Sequence, residues 1–168
     1  MGGKRLADQI DLSQDPSSRV QAALDALELG IKVQRFGRST GTAPEAAAAI
    51  GCELGAIVKS LCFLVDDQPV LVLAAGDRRV DDKALRRIFN VSKRRVKIAD
   101  PERVLACTGF SVGGVPPLGH LQPLPTLIDR SLSRFSTVYA AAGSDHSIVA
   151  IPYETLLRIT HGQVHDLT

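Results

Sequence analysis

Apolar positions along the chain fall into two periods, and the switches between them outline the elements. Val20, Leu24 and Leu27 share one helical face, so a helix is expected from a cap at Ser17 or Ser18 to Gly30. Ile31 to Phe36 reads as a short strand. Thr42-Ala43-Pro44-Glu45 has capping-box spacing with Pro in the first turn, and opens an alanine-rich helix that stops at Gly51. After a turn at Glu53 to Ala56, the run Ile57 to Val65 is apolar at nearly every position, the signature of a strand covered on both faces. Asp66-Asp67-Gln68-Pro69 is turn chemistry and Val70 to Ala75 returns, which predicts a hairpin from Ile57 to Ala75.

The second half continues in the same mixed style. Asp81 or Asp82 can cap a basic helix running to Phe89, and Arg95 to Ile98 alternates like an exposed strand. Asp100-Pro101-Glu102 combines a cap, a Pro and an acid in one first turn, and that helix should end at Gly109. Phe110 to Pro125 is a long Pro/Gly loop. Short strands are expected at Thr126–Asp129, Thr137–Ala142 and Ser147–Ile151, then a helix from Pro152 to about Ile159 and a polar end. Hairpins rather than regular strand–helix alternation point to an α/β domain with a mixed, mostly antiparallel sheet. The expected layout is a tail over 1–16, one domain over 17–162 and a tail over 163–168.

Composition narrows the classes. At 168 residues, 45% hydrophobic and 23% charged, the chain suits one globular domain rather than a disordered one. No apolar run approaches the ~18 residues of a membrane span, and the first residues lack a signal-peptide core, so a cytoplasmic protein without membrane association is expected. Cys52, Cys62 and Cys107 have no metal-like spacing and the four histidines form no zinc motif. Neither a disulfide framework nor a structural metal is expected, and buried thiols are the reading for Cys52 and Cys62.

Charge changes the picture more. The formal net charge is +2, yet nine Lys and Arg lie between Arg78 and Lys97 against only Asp81 and Asp82. Such a stretch attracts polyanions in a salt-dependent way. With two Tyr, five Phe and no Trp, backbone phosphates suit this chain better than stacked bases. Arg78, Arg79, Arg86, Arg87, Arg94 and Arg95 are the candidate phosphate contacts. An ordinary solvated face is the competing reading.

Two features carry candidate chemistry. Lys59 shares a strand face with Ile57, Leu61 and Phe63, so its ammonium must enter a pocket, snorkel out at an edge or meet an anion. Ser60 points the other way, as a core hydroxyl bonded to backbone would. Gly113-Gly114-Val115-Pro116-Pro117-Leu118-Gly119 joins residues that allow close backbone approach to residues that stiffen it. Such a turn can offer N–H groups to a carbonyl or oxyanion, or be a plain connection. There is no G-x-S-x-G elbow and no triad-like spacing, and His120 reads as a surface residue.

These blocks together resemble the YbaK/prolyl-tRNA-synthetase-associated editing domains. The matching segments are Ile57–Leu61, Gly76–Asp81 with the following helix, Thr108–Phe110 with Gly113–Gly119, Ile128–Asp129, and Val138–Tyr139 leading to Gly143–Ser144. The resemblance implies a compact α/β domain around a barrel-like sheet, acting as a trans-editing deacylase that cleaves the ester of a small mischarged amino acid, such as Ala or Cys, on tRNA. It makes Lys59 the catalytic lysine that supports the terminal nucleotide. It makes Gly113 and Pro117 the ends of a G-x-x-x-P loop holding the aminoacyl carbonyl, with Gly114, Val115 and Gly119 in the same loop. Ser60, Gly143 and Ser144 become pocket residues. The partners implied are mischarged tRNA and an aminoacyl-tRNA synthetase, with no metal or cofactor. Lys59-Ser60 replaces the family's frequent Lys-Thr, and Val149 stands where cysteine-specific members tend to carry an acid. A non-catalytic tRNA- or synthetase-binding module is the second reading, and a pocket for a small anionic metabolite the third.

Overall fold

The computed structural model describes residues 14–168. Most of the tail expected over 1–16 therefore lies outside the described residues, and Pro16 already belongs to a helix. Among the described residues, five helices, α1 (Pro16–Ala26), α2 (Ala43–Ile50), α3 (Asp82–Phe89), α4 (Pro101–Thr108) and α5 (Tyr153–Thr160), surround eight strands. The strands are β1 (Val33–Arg35), β2 (Ile57–Val65), β3 (Gln68–Ala75), β4 (Val96–Ile98), β5 (Thr126–Asp129), β6 (Thr137–Ala141), β7 (Ser147–Pro152) and β8 (Gln163–His165).

Local chemistry sets the boundaries. Thr42 accepts from the Glu45 N–H at 3.3 Å, Asp81 from that of Lys83 at 2.9 Å and Asp100 from that of Arg103 at 2.8 Å, each satisfying an orphan donor of a first turn. Helix α1 departs from expectation. Its cap is Asp15, whose carboxylate accepts from the Ser17 and Ser18 N–H groups at 3.1 and 3.3 Å. Pro16 fits the first helical position, so the cap falls one residue before it, and Ser17 turns inward to meet the Ser147 hydroxyl at 2.8 Å. At the hairpin turn, Asp66 and Asp67 both take positive φ, the twist that suits a two-residue connection between β2 and β3.

The sheet runs β1-β7-β6-β2-β3-β5-β8, with β4 added to β2. The β1–β7, β2–β3, β2–β4 and β6–β7 pairs are antiparallel, while β2–β6, β3–β5 and β5–β8 are parallel. The sheet is thus mixed as expected. Among the described residues no ladder joins β1 to β8, so the barrel-like sheet is open. Strand β8 corrects the expected 163–168 tail. It pairs with β5, and Leu167 beyond it is fully buried. Buried Asp129 draws that end in by accepting from the Leu167 N–H at 2.8 Å and the Thr168 hydroxyl at 3.1 Å. Three residues are too few for a period to show.

Strand β2 decides where a site can form. One edge pairs with β3 without a break from Val58 to Val65. The other edge is divided, with Ile57 and Val58 running beside β6 and Phe63 to Val65 beside β4. On that edge the sheet parts at Lys59, Ser60 and Leu61. The faces divide in the same way. Val58, Cys62 and Leu64 enter the main core with α1 and the Phe110–Leu118 loop. On the opposite face, Phe63 and Val65 pack under α3, while Ile57 joins Ala46 of α2 and Ile148. Lys59 stands at the seam between those two smaller cores. Cys62 and Cys107 are buried free thiols and Cys52 is half-buried.

Candidate functional site

A cavity of about 230 Å³ opens where the sheet parts. Its floor is Ile57 to Leu61 of β2, and one wall is the segment from Thr40 into α2, ending at Ala46. Val112, Gly113 and Val115 form another wall, and Tyr139 to Ala141 of β6 with Ile148 complete it. The lining is largely apolar, and Lys59 is its one charged side chain.

Lys59 is half-buried, and its ammonium donates to the Arg78 carbonyl just beyond β3. Burial pulls its pKa below the ordinary lysine value, with the negative charge of Asp77 opposing that shift. Asp77 does not neutralise it, because both Asp77 oxygens are held by Arg134, at 2.7 and 3.0 Å. That fork holds the Asp77 carboxyl below the usual carboxylate range. The result is an ammonium with one donor spent on a neutral carbonyl and two left for a ligand. Lys59 thus lines the cavity, while its ammonium rests on a carbonyl, that of Arg78, outside the lining.

The Pro/Gly loop owes its position to glycines elsewhere. Gly114 donates to the Ser111 carbonyl at 2.9 Å, closing a tight turn, and its own carbonyl accepts from Gly143 N–H at 2.9 Å. A β-carbon on Gly114 would lie 2.8 Å from the Gly143 carbonyl oxygen, and one on Gly143 would lie 2.6 Å from Pro16. Backbone therefore packs on backbone from α1 through Gly143 to the loop. The N–H groups of Gly113 and Val115 make no hydrogen bond among the described residues, and both residues line the cavity. Unlike the Gly114 amide, which is spent on Ser111, these two have no internal acceptor among the described residues, and neither has that of Val112 beside them.

The expected site residues thus separate into two groups. Lys59, Ser60, Gly113 and Val115 line the cavity. Gly114, Pro117, Gly119, Gly143 and Ser144 lie outside the lining; Gly114 and Gly143 brace it through their shared backbone contact, and the Ser144 hydroxyl meets that of Ser147 at 2.9 Å. Ser60 is corrected in one respect, since its hydroxyl is buried without any backbone partner. His120 is corrected too. It is half-buried, with Nε2 2.7 Å from the Pro116 carbonyl and its ring edge-on to Phe110. Its bond needs a proton on Nε2, and burial lowers its pKa. Thr40 was not foreseen. It is buried on the cavity wall, its N–H donates to the Asp145 carbonyl at 2.6 Å, and its hydroxyl has no partner. The only signal was its place just before the Thr42 capping box. The six candidate arginines lie outside the cavity lining.

Lys59 and two amides without a hydrogen-bond partner among the described residues thus line one small, largely apolar cavity of a mixed α/β domain. The chain belongs to the aminoacyl-tRNA editing domain family, whose model matches residues 38–159. It is 37% identical over 133 residues to "Uncharacterized protein YwhH" of Bacillus subtilis, covering 79% of this chain and 83% of that protein. The "Putative Cys-tRNA(Pro)/Cys-tRNA(Cys) deacylase EbsC" of Enterococcus faecalis is 26% identical over 128 residues, covering 76% of this chain and 77% of that one. Among solved structures, "Crystal structure of a putative trans-editing enzyme for prolyl tRNA synthetase" superposes with a TM-score of 0.86 at 39% identity, covering 92% of this chain and 98% of the other.

Proposed function

We propose that this protein is a trans-editing deacylase that hydrolyses the ester between a small amino acid and the 3′ end of a tRNA. The observation that carries this reading is that Lys59 lines one cavity with Gly113 and Val115, whose amides make no hydrogen bond among the described residues. In it, the amides take the ester carbonyl oxygen and stabilise the charge that develops there. Lys59 takes the ribose and phosphate of the terminal nucleotide. The cavity, at about 230 Å³, is below the roughly 300 Å³ at which drug-sized clefts begin, so an alanyl or cysteinyl side chain suits it better than a large one.

Water adds to the carbonyl carbon, the C–O ester bond breaks, and the 3′ oxygen leaves with the proton that water gives up. Among the described residues no Asp, Glu, His or Cys side chain lines the cavity, which supports the route the family resemblance implies, with the proton passing through the neighbouring 2′-hydroxyl of the substrate, about one hydrogen-bond reach from the reacting oxygen. Among the described residues, no cluster of three His, Cys, Asp or Glu side chains is placed to hold a metal ion.

A panel of mischarged tRNAs incubated with the wild type and with Lys59→Ala tests the reading. Release of one small amino acid by the wild type, lost in the variant, is the expected result. Equal release by both would remove Lys59 from the chemistry, and tRNA binding without turnover would make the protein a non-catalytic module.

A further inference from the structure

The basic stretch from Arg78 to Lys97 is not uniform once folded. Arg95 is bound to Asp66 at 2.8 Å, Arg86 leans on Asp82 at 4.0 Å and is half-buried, and Arg78 lies 3.9 Å from Asp77. Arg79, Lys83, Arg87 and Arg94 are exposed and have no acidic group within 4.0 Å among the described residues. Lys83 and Arg87 sit one turn apart on α3, about 6 Å along its axis. The opposite face of the helix, through Ala84 and Leu85, is buried against the sheet.

This row starts beside Lys59. The Arg78 carbonyl holds the Lys59 ammonium, so Arg79 is one residue from a contact made by the cavity wall. A polyanion with its end beside Lys59 would continue past Arg79 onto α3 and the Lys93–Arg95 turn. Exposed cations with no acidic group within 4.0 Å among the described residues are available to neutralise phosphates and release their counterions.

Resting on the reading of the cavity given above, we infer that Arg79, Lys83, Arg87 and Arg94 form the track that holds backbone phosphates of the tRNA next to its 3′ end, and that Arg86 and Arg95 do not belong to it. Track residues position the tRNA and leave the ester chemistry alone.

Binding of a deacylated tRNA transcript, measured between about 50 and 200 mM KCl, tests this directly. The triple variant Arg79→Gln, Lys83→Gln, Arg87→Gln should bind at least tenfold more weakly, with the slope of log K against log salt reduced by about 2. Arg95→Gln should leave both unchanged. Hydrolysis of a short 3′-aminoacyl-CCA ester by the triple variant should match that of wild type, while hydrolysis on full-length tRNA falls through KM. Unchanged affinity and slope in the triple variant would overturn the track and leave the cavity reading intact. Salt-dependent tRNA binding that needs the track, with no hydrolysis of any ester, would uphold the track and remove the deacylase. Wild type that binds a synthetase but no tRNA, and loses it in the triple variant, would assign the row to a protein partner and overturn the RNA reading. The substituted side chains are exposed, so an unaltered melting temperature is expected and is checked alongside.

Discussion

Gly114 and Gly143 lie backbone against backbone, the Gly143 N–H donating to the Gly114 carbonyl at 2.9 Å with no room for a side chain between them. This contact lets a loop outside the sheet keep the Gly113 and Val115 amides on the cavity wall. Gly114→Ala should therefore cost about 1–3 kcal/mol, because the added methyl meets backbone that cannot rotate away. Deacylation should fall further than stability alone explains. Gly37→Ala is the comparison, since a β-carbon there meets nothing within 4 Å. Urea midpoints and turnover on the same preparations separate the two effects.

Lys59 is retained in a partly desolvated place where an apolar side chain would fit. Lys59→Met keeps the length and removes the charge, so the melting temperature should stay level or rise. Turnover should drop about a hundredfold or more if the ammonium is a preorganised donor. A variant as active as wild type would mean that the cation only packs.

Much of this arrangement was legible beforehand, and the reason differs by element. Ile57–Val65 was readable because a strand buried on both faces leaves an unbroken apolar run, and α4 because Asp100, Pro101 and Gly109 each act within their own turn. Lys59 could be singled out because a cation in such a run is costly. What stayed hidden depends on distant pairings. The parallel β2–β6 and β3–β5 ladders join strands far apart in sequence, and the parting of the sheet at Lys59 exists only because β6 and β4 divide one edge of β2. Thr40 carried no mark beyond its place just before the Thr42 capping box, since its position on the cavity wall comes from distant packing.

Thr40 offers a trade between stability and binding. A buried hydroxyl without a partner costs about 1–3 kcal/mol, and Thr40→Val replaces it with a methyl of the same shape. The variant should melt at the wild-type temperature or above. Thr40→Ser, which keeps the hydroxyl and loses the methyl, should melt lower. Thermal unfolding of the three proteins decides the order.

His120 makes the loop sensitive to acid. Burial lowers its pKa below the ordinary 6.5, so between that value and its folded pKa the unfolded chain binds more protons. Stability is then complete above about pH 6.5 and is lost as pH falls through the folded pKa. The protonated ring can still donate to the Pro116 carbonyl, so the loss comes from burying charge and not from breaking that bond. Urea midpoints at about pH 7.5 and about pH 5 should differ more for wild type than for His120→Gln, because carboxylates titrate mainly below that interval.

Leu167 is held from both sides, its N–H donating to the Asp129 carboxylate at 2.8 Å and its carbonyl accepting from the Asp81 N–H at 2.7 Å. Asp129 is 1% exposed and accepts from the Leu167 N–H, the Thr168 hydroxyl and the Ser131 N–H and hydroxyl, with Arg130 turned away to Asp166. Its removal strands the buried Leu167 amide and frees Leu167 from the core beneath α3, where it packs with Leu85 and Leu127. Asp129→Ala should cost about 2–3 kcal/mol, and Asp129→Asn less, because the amide oxygen can still accept from Leu167 while its NH₂ faces other donors. Hydrogen exchange distinguishes this from a general loss of stability. The amides of Gln163 to Leu167 should lose protection first in Asp129→Ala, while those of β2 and β3, in the middle of the sheet, keep theirs. Simultaneous loss across the whole sheet would show that β8 unfolds only with the rest and that Asp129 acts on the domain as a unit.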